Sequence, residues 1–141
     1  MAESIFSIPA GISTTPMTVS DSPEAVVQRQ LDAYNARDLD ALLATYAPDA
    51  RQYELPAKLL ATGHADMRPR FALRFDEPDL HARLLQRAVM GNIVIDHETV
   101  SRTFPDGPGK VDLVAIYEVV DGLIRSQTVQ VTNQRLDAPA G

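Results

Sequence analysis

A chain of 141 residues with 45% hydrophobic and 23% charged residues can bury one sizeable core, roughly 65 to 70% of its unfolded surface, which excludes wholesale disorder, rod-like repeats and a second domain. A formal net charge of −6, with eleven Arg and two Lys scattered along the chain, argues against nucleic acid as a partner. The absence of cysteine excludes disulfides and thiolate catalysis, and no apolar run approaches the 18 or so residues of a membrane span.

Residues 1–21 are rich in Ser, Thr and Pro and read as an N-terminal tail. Glu3 stands where a secretory leader carries a cation, so a cytoplasmic location is the default expectation. Residues 22–133 form the expected domain and 134–141 a C-terminal tail. Ser22-Pro23-Glu24 combines a capping side chain, proline in the first turn and an early acid, which predicts a helix to about Arg37. On it Val26, Val27, Leu31 and Tyr34 share a stripe, and Gln30 falls inside that stripe. Asp38 caps a second helix carrying Leu39, Leu42, Leu43 and Tyr46, expected to stop at Pro48.

Shorter periods follow. Strands are predicted over 50–55 and 58–62 around a Pro56-Ala57 turn, then a third helix over 64–75 with Met67, Phe71 and Phe75 on one face. Gly91-Asn92 joins strands 80–90 and 93–102 as a two-residue hairpin turn, which sets Met90 opposite Ile93, Arg87 opposite Asp96 and Gln86 opposite His97. Leu84, Gln86, Ile95 and His97 then share one face, and Arg87, Val94, Asp96, Glu98 and Val100 the other. A loop over 105–109 leads to strands 111–120 and 123–132 around Asp121-Gly122. Two-residue counting there sets Glu118 opposite Arg125 and Tyr117 opposite Ser126. Apolar residues on both faces of these strands, with Val114, Ile116, Val129 and Val131 assigned to one of them, call for a cover on each side. The expected second cover is another copy of the chain, a homodimer through the outer sheet face.

The order helix, helix, short hairpin, helix, long hairpins resembles the nuclear transport factor 2-like superfamily. The stretch from Ala25 to Ala50 is similar to the opening of ketosteroid isomerases and SnoaL-like polyketide cyclases. Gly91 to Glu98 and Ala115 to Ile124 also resemble SnoaL-like segments. The resemblance implies an α+β fold of cystatin-like type: a curved, mixed or antiparallel sheet forming a cone, closed by the three helices around an apolar pocket. It implies a small apolar ligand and, for enzymes of this kind, proton transfer next to a carbonyl. The general base of the isomerases falls on Glu54; their two oxyanion donors, a Tyr and a protonated Asp, fall on Gln30 and Tyr117, where this chain departs from the pattern.

Several candidates carry two readings. Glu54 faces the pocket by resemblance, while alternation with Tyr53 and Leu55 turns it to solvent. Gln30 is an amide donor to a ligand or a buried glutamine satisfied within the protein. Tyr117 is a second donor or a core aromatic bonded to Ser126, and His97 is a catalytic group or a satisfied interior histidine partnered by Gln86. Asp96 and Glu98 are read as cross-strand partners of Arg87 and its neighbours. Val27, Tyr34, Tyr46, Phe71 and Phe75 are core or pocket wall. The three histidines have no recognised metal spacing, and no phosphate or dinucleotide motif is present, so neither metal nor cofactor has support in the sequence. A cofactor-independent isomerase, cyclase or lyase therefore stands beside a non-catalytic ligand-binding or assembly module of the same fold.

Overall fold

The computed structural model describes residues 21–138. Except for Asp21, the expected N-terminal tail lies outside the described residues.

Helix α1, Pro23–Ala36, starts where Ser22 accepts a hydrogen bond from the Ala25 amide, and ends at Arg37 in the left-handed region (φ 56°). Asp38 caps α2, Leu39–Ala44, by accepting from the Ala41 amide. This helix stops at Ala44, short of the expected Pro48, because the next residues enter the sheet: the Thr45 carbonyl accepts from the Ile124 amide. Strand β1, Tyr46–Glu54, therefore contains both Tyr46 and Pro48. Pro48, with no amide to donate, sits in the irregular stretch between the Tyr46 and Arg51 pairings to the last strand. Strand β2, Lys58–Thr62, leads into α3, Gly63–Phe75, which runs through Pro69.

The remainder is three long hairpin-linked connections among β3 (His81–Met90), β4 (Ile93–Phe104), β5 (Gly107–Val120) and β6 (Leu123–Leu136). The loop expected over 105–109 is only Pro105 and Asp106, and β6 runs on to Leu136 rather than ending at Thr132. The six strands form one mixed sheet in the order β2-β1-β6-β5-β4-β3, with β1 and β6 parallel and the other neighbours antiparallel. Three helices lie against its concave face, the α+β cone expected from the resemblance. The core between them is built from Val26, Val27, Leu42, Leu43, Tyr46, Met67, Val94, Tyr117 and Ile124, all buried.

Two bulges decide which side chains face inward. The Gly91-Asn92 hairpin has the register counted from its turn as far as Gln86 opposite His97, but Leu85 is an extra residue, so Leu84 pairs with Glu98 and joins the inner face. In the next hairpin Asp121 (φ 53°) and Gly122 (φ 78°) make the expected two-residue turn. Arg125 is then extra, so Glu118 pairs with Ser126 and Tyr117 with Gln127, not with Arg125 and Ser126. The bulge also separates the four valines and isoleucines assigned to one face: Val129 and Val131 turn toward the concave side, where they line the cavity described below, while Val114 and Ile116 stay on the convex side.

Candidate functional site

A cavity of about 270 Å³ opens between the concave face of the sheet and helices α1 and α3. Its middle is apolar, formed by Leu31 and Phe71 from the helices, Ala82 and Val100 from β3 and β4, and Leu113 and Val129 from β5 and β6. Tyr34, Phe71 and Phe75 pack edge-on or tilted at 5.6 to 6.3 Å between ring centres, which stiffens the helical wall.

At one end lies a polar relay. The Gln52 amide nitrogen donates to Gln127 Oε1 (2.6 Å), Gln127 Nε2 donates to the Tyr117 hydroxyl (3.1 Å), that hydroxyl donates to Gln30 Oε1 (3.2 Å), and Gln30 Nε2 donates to the Tyr46 hydroxyl (3.2 Å). Burial pushes both phenols above their ordinary range, so they remain protonated donors. Gln52, 8% exposed, keeps Oε1 without a hydrogen-bond partner, and Gln52, Gln127, Tyr117 and Gln30 all line the cavity. That oxygen is closed off even from a water molecule, so it is an unpaired acceptor at the end of the relay, behind the cavity surface.

Two carboxylates follow on the inner face of β4. Asp96 is fully buried and held bidentately by Arg87 (2.6 and 2.9 Å), which also donates to Gln28 Oε1. Glu98, two residues on, is 5% exposed, lines the cavity and has no hydrogen bond or ion pair among the described residues. Burial first, and the neighbouring Asp96 second, push its carboxyl up to about 7, against a smaller downward pull from Arg87. The reading of Glu98 as a cross-strand partner of Arg87 is thus corrected: one guanidinium serves one carboxylate, and Asp96 has it. The sequence held a signal for this, because hairpin counting sets an apolar residue, Leu85, opposite Glu98.

The mouth is basic. Arg70 and Arg74 project from successive turns of α3 and Arg102 from β4, all on the cavity lining. Glu77 is the acid among them, and Arg102 already takes it bidentately (2.7 and 2.9 Å), with the Thr103 amide on the same carboxylate. Arg74 Nε stays 3.9 Å from Glu77, beyond hydrogen-bond reach.

The other candidates distribute as follows. Glu54 lines the cavity at its mouth with its side chain 44% exposed and Lys58 Nζ at 3.9 Å, while Gln52, two residues earlier on the same face, is the buried one. Tyr34 and Phe71 are on the wall; burial raises the Tyr34 hydroxyl to about 12. Val27 is behind the wall, one helical turn before Gln30 and wholly in the core, as is Tyr46, whose hydroxyl backs the relay; Phe75 supports Tyr34 from outside the lining. His97 and Gln86 are corrected most: paired as counted, they lie on the convex face and are exposed, since the inward positions of β4 are Val94, Asp96, Glu98 and Val100. Neither reaches the cavity, and His97 is not an interior histidine.

Residues 27–127 match the family model of the SnoaL-like domain. No curated protein matches the chain. Among solved structures, a cystatin-fold protein of Novosphingobium aromaticivorans superposes with a TM-score of 0.70 at 23% identity, covering 77% of this chain and 97% of that one. A proposed polyketide cyclase of Sinorhizobium meliloti gives 0.63 at 28%, covering 74% and 93%. An LEH-like epoxide hydrolase of M. tuberculosis gives 0.67 at 15%, covering 77% and 81%.

Proposed function

The chain belongs to the SnoaL-like domain family, and on that premise we propose that it binds a small, largely apolar molecule and moves a proton next to a carbonyl, as an isomerase, cyclase or lyase does. The observation that carries this reading is Glu98, a buried carboxyl with no hydrogen-bond or ion-pair partner among the described residues, facing the cavity and pushed up to about 7. A base takes a carbon-bound proton best when its own pKa is near the working pH, and its conjugate acid then returns the proton at a second carbon or to a leaving group. The negative charge that develops on the carbonyl oxygen needs donors already in place. The amide groups of Gln30 and Gln127 each have a second N–H beyond the one in the relay, and both line the cavity. Glu54, exposed at the mouth beside Lys58, fits contact with ligand on entry better than proton abstraction.

Proton exchange followed by NMR on a panel of activated enones and β-keto compounds tests the reading. The parent should exceed buffer, with a rate that rises with pH through about 7 as Glu98 ionises. Glu98→Gln should lower it by about 100-fold or more. If Glu54→Gln has that effect instead, the base is Glu54, and a parent no faster than buffer on any compound leaves a ligand-binding module.

We also propose that the convex sheet face meets a second copy of the chain. Ile93, Ile95, Val114 and Ile116 lie side by side there, only half-buried, beside an exposed Met90. Sedimentation at micromolar concentration should give a dimer, and Ile116→Asp should give a monomer.

A further inference from the structure

The arginines at the mouth have no part in the proton transfer described above. Three guanidiniums, Arg70, Arg74 and Arg102, stand by Glu77, which spends both of its oxygens on Arg102 and the Thr103 amide, while the other acid at the mouth, Glu54, lies beside Lys58. Arg70 and Arg74 are left without a hydrogen bond to any described residue. Arg74 is nonetheless partly withdrawn from water, its side chain 36% exposed. Burial, with Arg102 and Arg70 nearby, disfavours its charge. A half-desolvated cation beside two others, whose nearest carboxylate is 3.9 Å away and already held by Arg102, is stabilised further by a second anion.

We propose that the ligand is an amphipathic carboxylic acid, its carboxylate held between Arg70 and Arg74 at the mouth and its apolar body directed inward toward Glu98. The fork of a guanidinium matches a planar carboxylate, and two of them hold its orientation. A monoanion is favoured over a phosphate dianion because the groove behind the arginines is apolar and every further charge taken into it is costly to desolvate. Distance fits as well. Glu98, Val100 and Arg102 are successive inward residues of β4, so the Arg102 backbone lies about 13 Å along the strand from that of Glu98, with Val100 between them. An acid anchored at the mouth therefore presents carbons remote from its carboxylate to Glu98, and the reacting carbonyl is a second group of the molecule. This assignment rests on the cavity being a ligand site, the reading given above, but not on Glu98 being a base.

Isothermal titration of the full chain with 5-phenylpentanoate and with 5-phenylpentanamide, equal in shape and different in charge, tests it. The acid should bind at least about tenfold more tightly than the amide, with the preference shrinking as salt is raised. The double variant Arg70→Gln, Arg74→Gln should lose that preference while its amide affinity stays within about twofold. Arg70 has no bond to a described residue and Arg74 has only the 3.9 Å ion pair with Glu77, so an unchanged melting temperature checks that the variant is intact. Equal affinity for acid and amide, a parallel loss of both in the double variant, or no binding of either compound overturns the proposal. Proton exchange in Glu98→Gln is read separately. An acid preference with exchange unaffected by that substitution keeps the arginine site and removes the base, whereas lost exchange without any acid preference does the opposite.

Discussion

Asp96 and Glu98 sit two residues apart on one face of one strand, and the protein treats them in opposite ways. The region around Asp96 is sealed: Arg87 and Gln28 close over it, every strong polar group has a partner, and the carboxylate is a structural anion. The region around Glu98 is open to the cavity, its neighbours are Val100, Leu113 and Tyr34, and no described residue forms an ion pair or hydrogen bond with it. The difference comes from one cation. Where a guanidinium is supplied, burial of a carboxylate makes a tie between strands; where it is withheld, the same burial makes a group that is easily protonated and therefore able to exchange protons.

The sharpest way to break this contrast is at Asp96. Asp96→Asn leaves Arg87 charged, buried and half-satisfied, and should cost about 3 to 5 kcal/mol in urea unfolding. Next comes the pH profile of Glu98. Its carboxyl moves from 4.5 to about 7 on folding, so protonation favours the native state. The corresponding stability is fully present below 4.5 and is lost as pH rises through about 7, a change of the order of 3 kcal/mol. Unfolding of Glu98→Gln measured beside the parent should show the parent falling relative to the variant across that window. A smaller effect is expected at Tyr117. Tyr117→Phe removes the link between Gln127 and Gln30 and leaves an amide oxygen bare, for about 1 to 3 kcal/mol by thermal unfolding. Smallest is Glu54→Gln: with an exposed side chain and Lys58 at 3.9 Å, stability should change by no more than about 0.5 kcal/mol.

Much of the fold was legible because its signals are local. Ser22 and Asp38 cap the helices they announce, and the two-residue turn at Gly91-Asn92 carries the pairing of Arg87 with Asp96 without any tertiary knowledge. Gln30 is buried where helical spacing puts it, and its partners turn out to be two tyrosines, one from β1 and one from β5. What could not be read are the extra residues Leu85 and Arg125. A bulge answers to the curvature of the whole sheet, and neither side chain differs from its strand neighbours in a way that marks it. The consequences were largest for Tyr117, moved from Ser126 to Gln127, and for Val129 and Val131, moved into the cavity. Glu98 escaped for another reason. Placing His97 and Gln86 inside, as the sequence suggests, turns Glu98 outward, and the strand offers two carboxylates for one guanidinium.

The relay from Gln52 to Tyr46 has one more consequence, which concerns symmetry. Each of its three amides and two phenols both donates and accepts, so turning over the amides and rotating the hydroxyls reverses every hydrogen bond while keeping the same four heavy-atom separations. The two polarities contain equal numbers of bonds and differ only at the ends. In one, Gln52 ends the relay with an unpaired oxygen; in the other it ends it with an N–H, and the Tyr46 hydroxyl donates to Gln30 rather than accepting from it. A rotation of the Gln52 side chain toward the cavity would thus offer a ligand hydroxyl an oxygen in one state and a ligand carbonyl an N–H in the other. The wall needs no movement of the backbone to match either.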